Sequence, residues 1–325
     1  MAPIWVVAET NADGSLARTT AEIATLARDL AASSGGSAAG VVVAADPQAA
    51  AGELAAYLPS VTAVVDPDAA GSAWAVIAAE RAAEVIGDDP SAIVLLGAGP
   101  DGRDVAGTLS VITSRGILVN ATGVTWDEGR PVVEMSVFGG KLITTSGFTG
   151  AGGIITIRPG TATAVPGARP GAIERRAPGA APRLPRVPIV ESVAEAGAAA
   201  PIEEAKIIVS GGRGVAGPEG FGLVAQLAEA LGGAVGATRA AVDAGWIPYA
   251  QQIGQTGKIV KPSLYLALGI SGAIQHKVGM QTAETVIAVN RDPDAPIGEF
   301  ADLMVVGDLF EVVPALLVAL RARAG

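Results

Sequence analysis

Short apolar runs alternate with amphipathic stretches along the first third of the chain. The runs cover residues 4–8, 40–45, 63–66 and 91–96. Between them, apolar side chains recur at spacings near three, four and seven, which predicts helices over residues 15–32, 49–58 and 73–86. Strands that alternate with helices in this way predict a parallel sheet with helices on both faces.

The pattern changes after residue 96. A helix is predicted over residues 104–114, and residues 123–157 then alternate apolar and polar side chains around Gly139 and Gly140. Alternation with a period of two predicts antiparallel hairpin strands at one edge of the sheet.

Proline and arginine dominate the next segment, residues 159–200. This composition predicts a linker, or an extended segment that leads to a hinge. The arginines suggest a docking patch, but a solvated linker is the interpretation that we favour. They are Arg169, Arg175, Arg176, Arg183 and Arg186.

A second alternation of strands and helices begins at residue 205. Strands are predicted at residues 206–210, 234–237, 264–268, 285–289 and 303–306, and helices at 218–231 and 309–323. We therefore predict an α/β protein of two domains. The N-terminal domain, residues 1–190, has a parallel sheet of the nucleotide-hydrolase-like type and ends in the linker, and residues 201–325 form a doubly wound domain.

Composition excludes several classes of function. Half of the residues are hydrophobic and 17% are charged, so a large core can form. The absence of cysteine and the single histidine argue against disulfides, thiolate chemistry and a histidine zinc site. A net charge of −10 argues against a nucleic-acid partner. No apolar run approaches the roughly 18 residues of a membrane span, and the first run lacks a basic leader, so we expect a cytoplasmic protein.

Glycine-rich motifs give weak signals here. Residues 97–102 match G-x-G-x-x-G, but Pro100 removes a backbone donor, so a tight turn before a helix is the favoured interpretation. Residues 212–217 match the same motif after a convincing strand, which favours a dinucleotide site. The acidic residue expected about 20 positions later has no clear candidate at a strand end. Residues 254–258 fail as a P-loop.

Two clusters of polar residues and glycines, 252–258 and 269–276, flank the apolar run 264–270. A buried strand that leads into a helix N-terminus presents free backbone N–H groups, which suit an anionic ligand. The chain has one histidine, and nothing around Ser271 resembles a nucleophile elbow, so hydrolase chemistry is poorly supported. These residues suit a cofactor that supplies its own chemistry.

Five ordered blocks resemble the α subunit of electron transfer flavoprotein. They are SGGRG (210–214), GATRAAVD (236–243), IGQTGKIV (253–260), GISGAIQH (269–276) and AVNRDPDAP (288–296). The resemblance runs from about residue 206 to 317, and it is weaker in the first domain. It implies FAD in the second domain and a β subunit that binds AMP and completes a heterodimer. It also implies an electron carrier, rather than a self-contained enzyme, between the acyl-CoA dehydrogenases of fatty-acid β-oxidation, with related dehydrogenases, and a membrane quinone oxidoreductase.

The resemblance also implies the residues that contact FAD. These are Arg213, Thr238, Arg239, Ile253, Gly254, Gln255, Thr256, Ser271, Gly272, Ala273, Ile274, Gln275, His276, Asn290, Asp308 and Leu309. Within this set, Thr256 would donate to flavin N5, Arg239 would favour the reduced, negatively charged ring, and His276 would donate at the N1–C2=O edge. Ser271 suits the pyrophosphate, and Asp308 suits a ribose hydroxyl or the adenine amine.

Each of these residues also has a purely structural interpretation. Arg239 is four residues from Asp243 and suits an ion pair. A lone histidine is more often a buried structural side chain than a ligand, and Thr256 suits a turn. The alternative functions are an NAD- or nucleotide-binding oxidoreductase, a catalytically silent nucleotide-binding module, and a specialised paralogue of the bifurcating, nitrogen-fixation or carnitine type.

Overall fold

The computed structural model describes residues 2–137, 142–180, 182–191 and 202–324. The chain divides into two compact units, residues 1–193 and 194–325. Among the described residues, every helix is too short or too polar to cross a membrane.

The first unit contains one large sheet with helices packed against it. Its described strands are β1 (Pro3–Val7), β2 (Ser37–Ala44), β3 (Ser60–Val65), β4 (Ile93–Gly97), β5 (Ile117–Asp127), β6 (Arg130–Val137), β7 (Leu142–Ser146), β8 (Gly153–Ile157) and β9 (Ala172–Arg176). Its described helices are α1 (Arg18–Ser34), α2 (Gln48–Ala55), α3 (Trp74–Ile86) and α4 (Pro100–Thr113). The sheet order is β7-β6-β5-β8-β4-β1-β2-β3-β9.

Apolar side chains of the central strands point alternately to the two faces of this sheet. In β4, Ile93 and Leu95 join the cluster that includes residues of α1 and α2. Val94 and Leu96 join the opposite cluster, which includes residues of α3 and α4. This arrangement follows from the two-residue period of a strand. The prediction of a mainly parallel sheet with helices on both faces is confirmed.

The hairpin prediction for residues 123–157 is confirmed only in part. β5 pairs with β6, and β6 pairs with β7, both antiparallel. β8 instead lies between β4 and β5 and is parallel to both. All five residues of β8 are buried, as expected of a strand that is covered on both faces. Gly139 and Gly140, around which this alternation runs, lie outside the described residues.

The fourth helix starts earlier than the sequence pattern predicts. α4 begins at Pro100, in the first-turn position that proline favours, and not at residue 104. Residues 100–103 therefore belong to the helix. Proline at this place does not weaken the helix, because the N–H group that it lacks would have no partner within the helix.

The described residues of the segment 159–200 are largely exposed, as a solvated linker would be, but part of them is bound to the first unit. Residues 172–176 form β9, which pairs in parallel with β3. The following described residues, 178–180 and 182–190, which we call the strap, run along the first unit. Val187 accepts a backbone bond from Ala73 at 2.7 Å, and Ile189 donates one to Gly71 at 3.0 Å.

Two acids, buried Glu80 and half-exposed Asp68, hold the strap in place. The Glu80 side chain, 4% exposed, accepts hydrogen bonds from the backbone N–H groups of Arg183 and Leu184 at 2.7 and 2.6 Å. It also accepts one from Arg186 Nη1 at 2.6 Å, and Asp68 accepts one from Arg186 Nε at 3.1 Å. Asp68 and Glu80 lie 118 and 106 residues before Arg186 in the chain. Composition alone could not reveal these distant contacts, and it therefore predicted a linker.

The second unit contains a five-stranded parallel sheet. Its described strands are β10 (Ile207–Gly211), β11 (Ala234–Ala237), β12 (Leu264–Leu268), β13 (Val286–Asn290) and β14 (Leu303–Val306). Its described α-helices are α5 (Pro218–Ala230), α6 (Arg239–Asp243), α7 (Ile274–Met280) and α8 (Leu309–Ala324). The sheet order is β11-β10-β12-β13-β14, and the predicted doubly wound pattern is confirmed.

The strand order of this unit predicts where a ligand crevice lies. The chain leaves β10 for β11 on one side and then returns to β12 on the other side. The connections therefore diverge at the carboxyl ends of β10 and β12, which Gly211 and Leu268 mark. Open α/β sheets bind ligands at such a switch point, because loops that turn in opposite directions leave a gap between them.

Candidate functional site

A cavity of about 640 Å³ lies in the second unit at this switch point. The loops that follow β10, β11, β12 and β13 contribute its walls. The volume falls within the range of roughly 300–1,000 Å³ that is typical of small-molecule and cofactor sites.

Glycines allow the loops after β10 and β12 to touch. Gly214 donates a backbone bond to Gly269 O at 2.9 Å, and Gly212 donates one to Leu268 O at 3.0 Å. A Cβ atom added to Gly214 would lie 2.6 Å from the Gly269 Cα, and Gly269 itself has a φ of +60°. Loop packing therefore explains the glycines of the G-x-G-x-x-G match at residues 212–217. The same glycines would also allow a ligand to approach the backbone.

A second turn, residues 253–256, forms another wall. Ile253 donates a backbone bond to Ala237 O at 2.9 Å, and Gln255 donates one to Gln275 O at 2.7 Å. Gly254, at a φ of +146°, adopts a backbone conformation that a side chain would disfavour. The turn is thereby fixed to both β11 and α7.

Thr256 at the end of this turn keeps a donor available. Its hydroxyl accepts a hydrogen bond from Gln252 Nε2 at 3.1 Å, and its carbonyl accepts one from Tyr249 Oη at 2.6 Å. Because the hydroxyl oxygen is the acceptor in the first bond, its proton remains free for an acceptor in the cavity. Gln252 is 2% exposed, so its amide is held in place by packing.

Two arginines line the cavity with exposed guanidinium groups. Arg239 Nε lies 3.2 Å from Asp243 Oδ2, with 65% and 62% of the two side chains exposed. The structural interpretation of Arg239 as an ion-pair partner therefore holds, but such an exposed pair contributes only about 0–1 kcal/mol. A ligand can engage Arg239 at little cost. Arg213 also lines the cavity and has no carboxylate partner among the described residues.

Thr238 carries an unsatisfied polar atom. It precedes α6, yet its side chain makes no capping bond to the helix. Its hydroxyl is buried and has no hydrogen-bond partner in the structure. A buried polar atom without a partner is costly, and a ligand in the cavity that Thr238 lines would satisfy it.

His276 also lines the cavity, but its ring nitrogens have protein partners. Nε2 lies 2.8 Å from Tyr265 Oη, and Nδ1 lies 3.0 Å from Ile253 O. Burial lowers the pKa of His276 to about 4, although the Ile253 bond acts in the opposite direction. A ring N–H for the flavin would require one of these bonds to break, so the geometry favours the structural interpretation of the imidazole.

Four of the sixteen implied contact residues do not line the cavity. Gly272 packs on the backbone of Ile297, where an added Cβ would lie 2.3 Å from the Ile297 nitrogen. Asp308 caps α8 by accepting from Phe310 N at 2.9 Å and pairs with Arg291. The other two are Ile274 and Leu309, and Leu309 is buried in the core.

The cavity brings together the other twelve implied residues. They are Arg213, Thr238, Arg239, Ile253, Gly254, Gln255, Thr256, Ser271, Ala273, Gln275, His276 and Asn290. Asn290 has partners of its own, because Nδ2 donates to Ile270 O at 2.9 Å and Oδ1 accepts from Asp292 N at 3.0 Å.

Sequence reasoning missed several residues that line the same cavity. They are Gly212, Gly214, Ala240, Asp243, Gly269, Ile270, Asp292, Ala295 and Pro296. All except Ala240 and Asp243 lie on loops that follow β10, β12 or β13. The block 288–296 contained a usable signal, because it comes directly after a predicted strand at the carboxyl edge of a parallel sheet.

The glycine motif at residues 97–102 in the first unit is occupied by a carboxyl group. A Cβ on Gly97 or Gly102 would lie 2.4 or 2.6 Å from Oε1 of Glu9. Burial and, to a smaller extent, Asp101 raise the pKa of Glu9 to about 7. An acidic side chain at the start of α4 leaves no room for a phosphate, which agrees with the interpretation of a tight turn.

The donors in the cavity of the second unit fit a dinucleotide cofactor. Exposed arginines suit phosphate groups, and glycine backbones allow a close approach. The buried hydroxyl of Thr238 lacks a partner, and Thr256 offers a free proton to a ring nitrogen. Fold and site therefore define an α/β protein that binds a nucleotide cofactor at the switch point of a parallel sheet.

Comparisons with known proteins specify the family. The model for the electron transfer flavoprotein domain matches residues 4–181, and the model for the electron transfer flavoprotein FAD-binding domain matches residues 201–281. Electron transfer flavoprotein subunit alpha of Mycobacterium leprae is 40% identical over 339 residues, and that of Mycobacterium tuberculosis is 42% identical over 334 residues; both alignments cover 100% of each chain. Protein FixB of Clostridium saccharobutylicum is 39% identical over 239 residues, 69% of each chain.

This chain belongs to the electron transfer flavoprotein α-subunit family. Its role is therefore electron transfer in general terms, and its second unit carries the FAD-binding domain of that family.

Proposed function

We propose that the chain is the FAD-binding α subunit of a heterodimeric electron carrier. It accepts electrons from acyl-CoA dehydrogenases and related dehydrogenases and passes them to a membrane quinone oxidoreductase. The β subunit completes the heterodimer and holds AMP. The observation that carries the proposal is the cavity at the switch point, where twelve of the sixteen residues implied for FAD converge.

Bound FAD would supply the ring that takes up and releases electrons. The chain holds and tunes this ring. Arg239 places a positive charge beside it, and the free hydroxyl proton of Thr256 would bond N5 of the oxidised ring. Arg213 and Ser271, both exposed in the cavity, suit the pyrophosphate.

Co-expression with the β subunit tests the proposal directly. We expect the purified complex to show flavin absorption and to contain one FAD and one AMP per heterodimer. An acyl-CoA dehydrogenase with its substrate should bleach the flavin absorption. A colourless complex that binds NAD would contradict the proposal and would favour the dinucleotide oxidoreductase instead.

Removal of the Arg239 charge should lower the first reduction potential by tens of millivolts. The physical reason is that a cation beside the ring stabilises the negative charge that reduction creates, and roughly 59 mV corresponds to about 1.4 kcal/mol for one electron. Potentiometric titration of Arg239→Ala against the wild-type complex measures this shift. Arg321→Ala, an exposed position on α8, serves as the control. An unchanged potential with FAD still bound would remove Arg239 from this role.

A specialised paralogue is the second candidate, because a Protein FixB is among the relatives. The two candidates differ in their electron donors. Reduction by an acyl-CoA dehydrogenase at physiological concentration favours the general carrier. Failure with that donor, together with rapid reduction by another donor, favours the specialised form.

A further inference from the structure

Gln252 is a buried amide next to the turn 253–256, which forms one wall of the cofactor cavity. It is 2% exposed and does not itself line the cavity. Its backbone is fixed at both polar groups, because Gln252 N donates to Tyr249 O at 2.9 Å and Gln252 O accepts from Lys258 N at 2.7 Å. The side chain therefore extends from a backbone that is held in place.

Close packing at a glycine brings this amide to Thr256. A Cβ added to Gly257 would lie 2.3 Å from Gln252 O and 2.9 Å from Gln252 Cγ, so a side chain there would push the two segments apart. With glycine at this position, Gln252 Nε2 lies 3.1 Å from Thr256 Oγ1. Thr256 is exposed and lines the cavity. One hydrogen bond thus connects a buried amide to a side chain at the cofactor site.

The chemistry of the two groups gives this bond a direction. An amide N–H group can only donate, so the oxygen of Thr256 accepts and its proton cannot point toward Gln252. A hydroxyl proton otherwise rotates to suit the partners around it. The bond therefore turns the proton away from the amide, and Thr256 lines the cavity that would hold FAD.

The backbone of the turn has other contacts that do not involve this amide. Tyr249 Oη donates to Thr256 O at 2.6 Å, from a side chain that is 60% exposed. Gln255 N donates to Gln275 O at 2.7 Å and so binds the turn to α7. These bonds hold the main chain of the turn, whereas the side chain of Gln252 contacts the hydroxyl of Thr256.

We propose that Gln252 is a positioning residue for the flavin: its buried amide holds the hydroxyl of Thr256 so that the proton is directed at N5 of the oxidised ring. The inference rests on the proposed function, since it concerns the same FAD site. It adds to that site a residue that acts through Thr256 without touching the cofactor.

Gln252→Met tests the proposal in the FAD-loaded heterodimer, because methionine has nearly the same length and volume but no amide. FAD that is isotope-labelled at N5 gives one nitrogen resonance, which reports the hydrogen bond to that atom. We expect the resonance to move in the same direction as in Thr256→Val, by about half or more of the displacement in that variant, since the hydroxyl is then free to turn to water. Gln226→Met, the same change at an exposed position of α5, should leave the resonance in place.

A double variant separates this role from a merely structural one. In the Thr256→Val background, Gln252→Met should not move the N5 resonance further, because the hydroxyl through which Gln252 acts is absent. A full additional displacement would show that Gln252 shapes the site by packing, and would overturn the proposal. An unchanged resonance in Gln252→Met with FAD bound would also overturn it. So would a displacement in the opposite direction, since the wild-type hydroxyl would then donate to the amide oxygen.

The outcomes distinguish this inference from the proposed function. If the heterodimer binds no FAD, the proposed function fails, while the FAD-free chain still tests the contact. With the side-chain nitrogens of glutamine labelled, the signal that Gln252→Met removes belongs to Gln252. Thr256→Val should move this signal, and an unmoved signal would overturn the inference. If FAD binds and the N5 resonance does not respond to Gln252→Met, the inference fails alone. If Gln252→Met does not fold, Gln252→Glu, which also lacks the amide nitrogen, identifies the signal, and its response to Thr256→Val decides.

Discussion

Alanine at position 279 is expected to lower the affinity of the chain for FAD by about tenfold to a hundredfold. Gly279 on α7 packs directly on the turn 253–256. A Cβ at this position would lie 2.3 Å from the nitrogen and 2.6 Å from the Cα of Gly254. Backbone atoms cannot move aside as a flexible side chain does, so α7 and the turn must separate. Overpacking of this kind costs about 1–3 kcal/mol, and here the strain falls on the wall of the cofactor site.

Titration of FAD into the apoprotein, followed by flavin fluorescence, measures this effect. Gly222→Ala is the matched control, because Gly222 is an exposed position inside α5 where a Cβ meets nothing within 4 Å. That change should leave FAD affinity unaltered and should stabilise the protein by about 0.5–1 kcal/mol, the usual gain of alanine over glycine in a helix. Wild-type affinity in Gly279→Ala would show that the contact between α7 and the turn does not shape the site.

Loss of the Glu80 carboxylate should destabilise the first unit by about 3–5 kcal/mol. Glu80 is 4% exposed and binds the strap through two backbone N–H groups and the guanidinium of Arg186. Glu80→Ala leaves all three donors without their acceptor. Denaturant unfolding measures the loss of stability, and limited digestion with trypsin detects the freed strap by cleavage after Arg183 and Arg186.

The expected pH dependence of this effect follows from the pKa of Glu80. Burial alone would raise the pKa, but the hydrogen bonds from Arg186, Leu184 and Arg183 lower it below the ordinary value. The stabilising contribution is therefore complete above the ordinary glutamate pKa of about 4.3. It disappears as the pH falls through the lower pKa of the folded state. The stability difference between wild type and Glu80→Ala should thus become smaller at strongly acid pH.

Glu174→Ala provides the control for the strap. Glu174 on β9 is 70% exposed and lies 3.8 Å from Arg176, an ion pair that water screens. Its removal should change the unfolding free energy by less than about 0.5 kcal/mol. If Glu80→Ala behaves like Glu174→Ala, and trypsin cuts the strap no faster, then the strap does not depend on Glu80.

Much of the fold follows from local sequence pattern. The strands of the second unit at 234–237, 264–268 and 303–306 have the predicted bounds, because short apolar runs between glycines and prolines have few other solutions. The start of α5 at Pro218 was predicted for the same kind of local reason. The mixed edge of the first sheet was less predictable. β8 has the composition of a buried strand, but its neighbours in the sheet are far away in sequence.

The candidate site likewise has features that the local sequence predicts and features that it does not. The blocks around Gly254, Ser271 and Asn290 are visible in the sequence, and the carboxyl ends of parallel strands bring them together. The roles of individual side chains depend on contacts that no local pattern contains. His276 is the clearest case, since its partners Tyr265 and Ile253 are 11 and 23 residues away.

The sequence by itself determined the α/β class, the two-part organisation of the pattern, the family and the region that forms the cofactor site. These properties depend on periodicity and on ordered motifs, both of which are local. Only the tertiary structure decided that the strap is bound by Glu80, that Glu9 fills the first glycine motif, and that the imidazole nitrogens of His276 face the protein. Each of these features depends on which distant group pairs with a buried charge or hydrogen-bonding atom. Burial enforces that pairing, because an unpaired polar group is costly inside a protein.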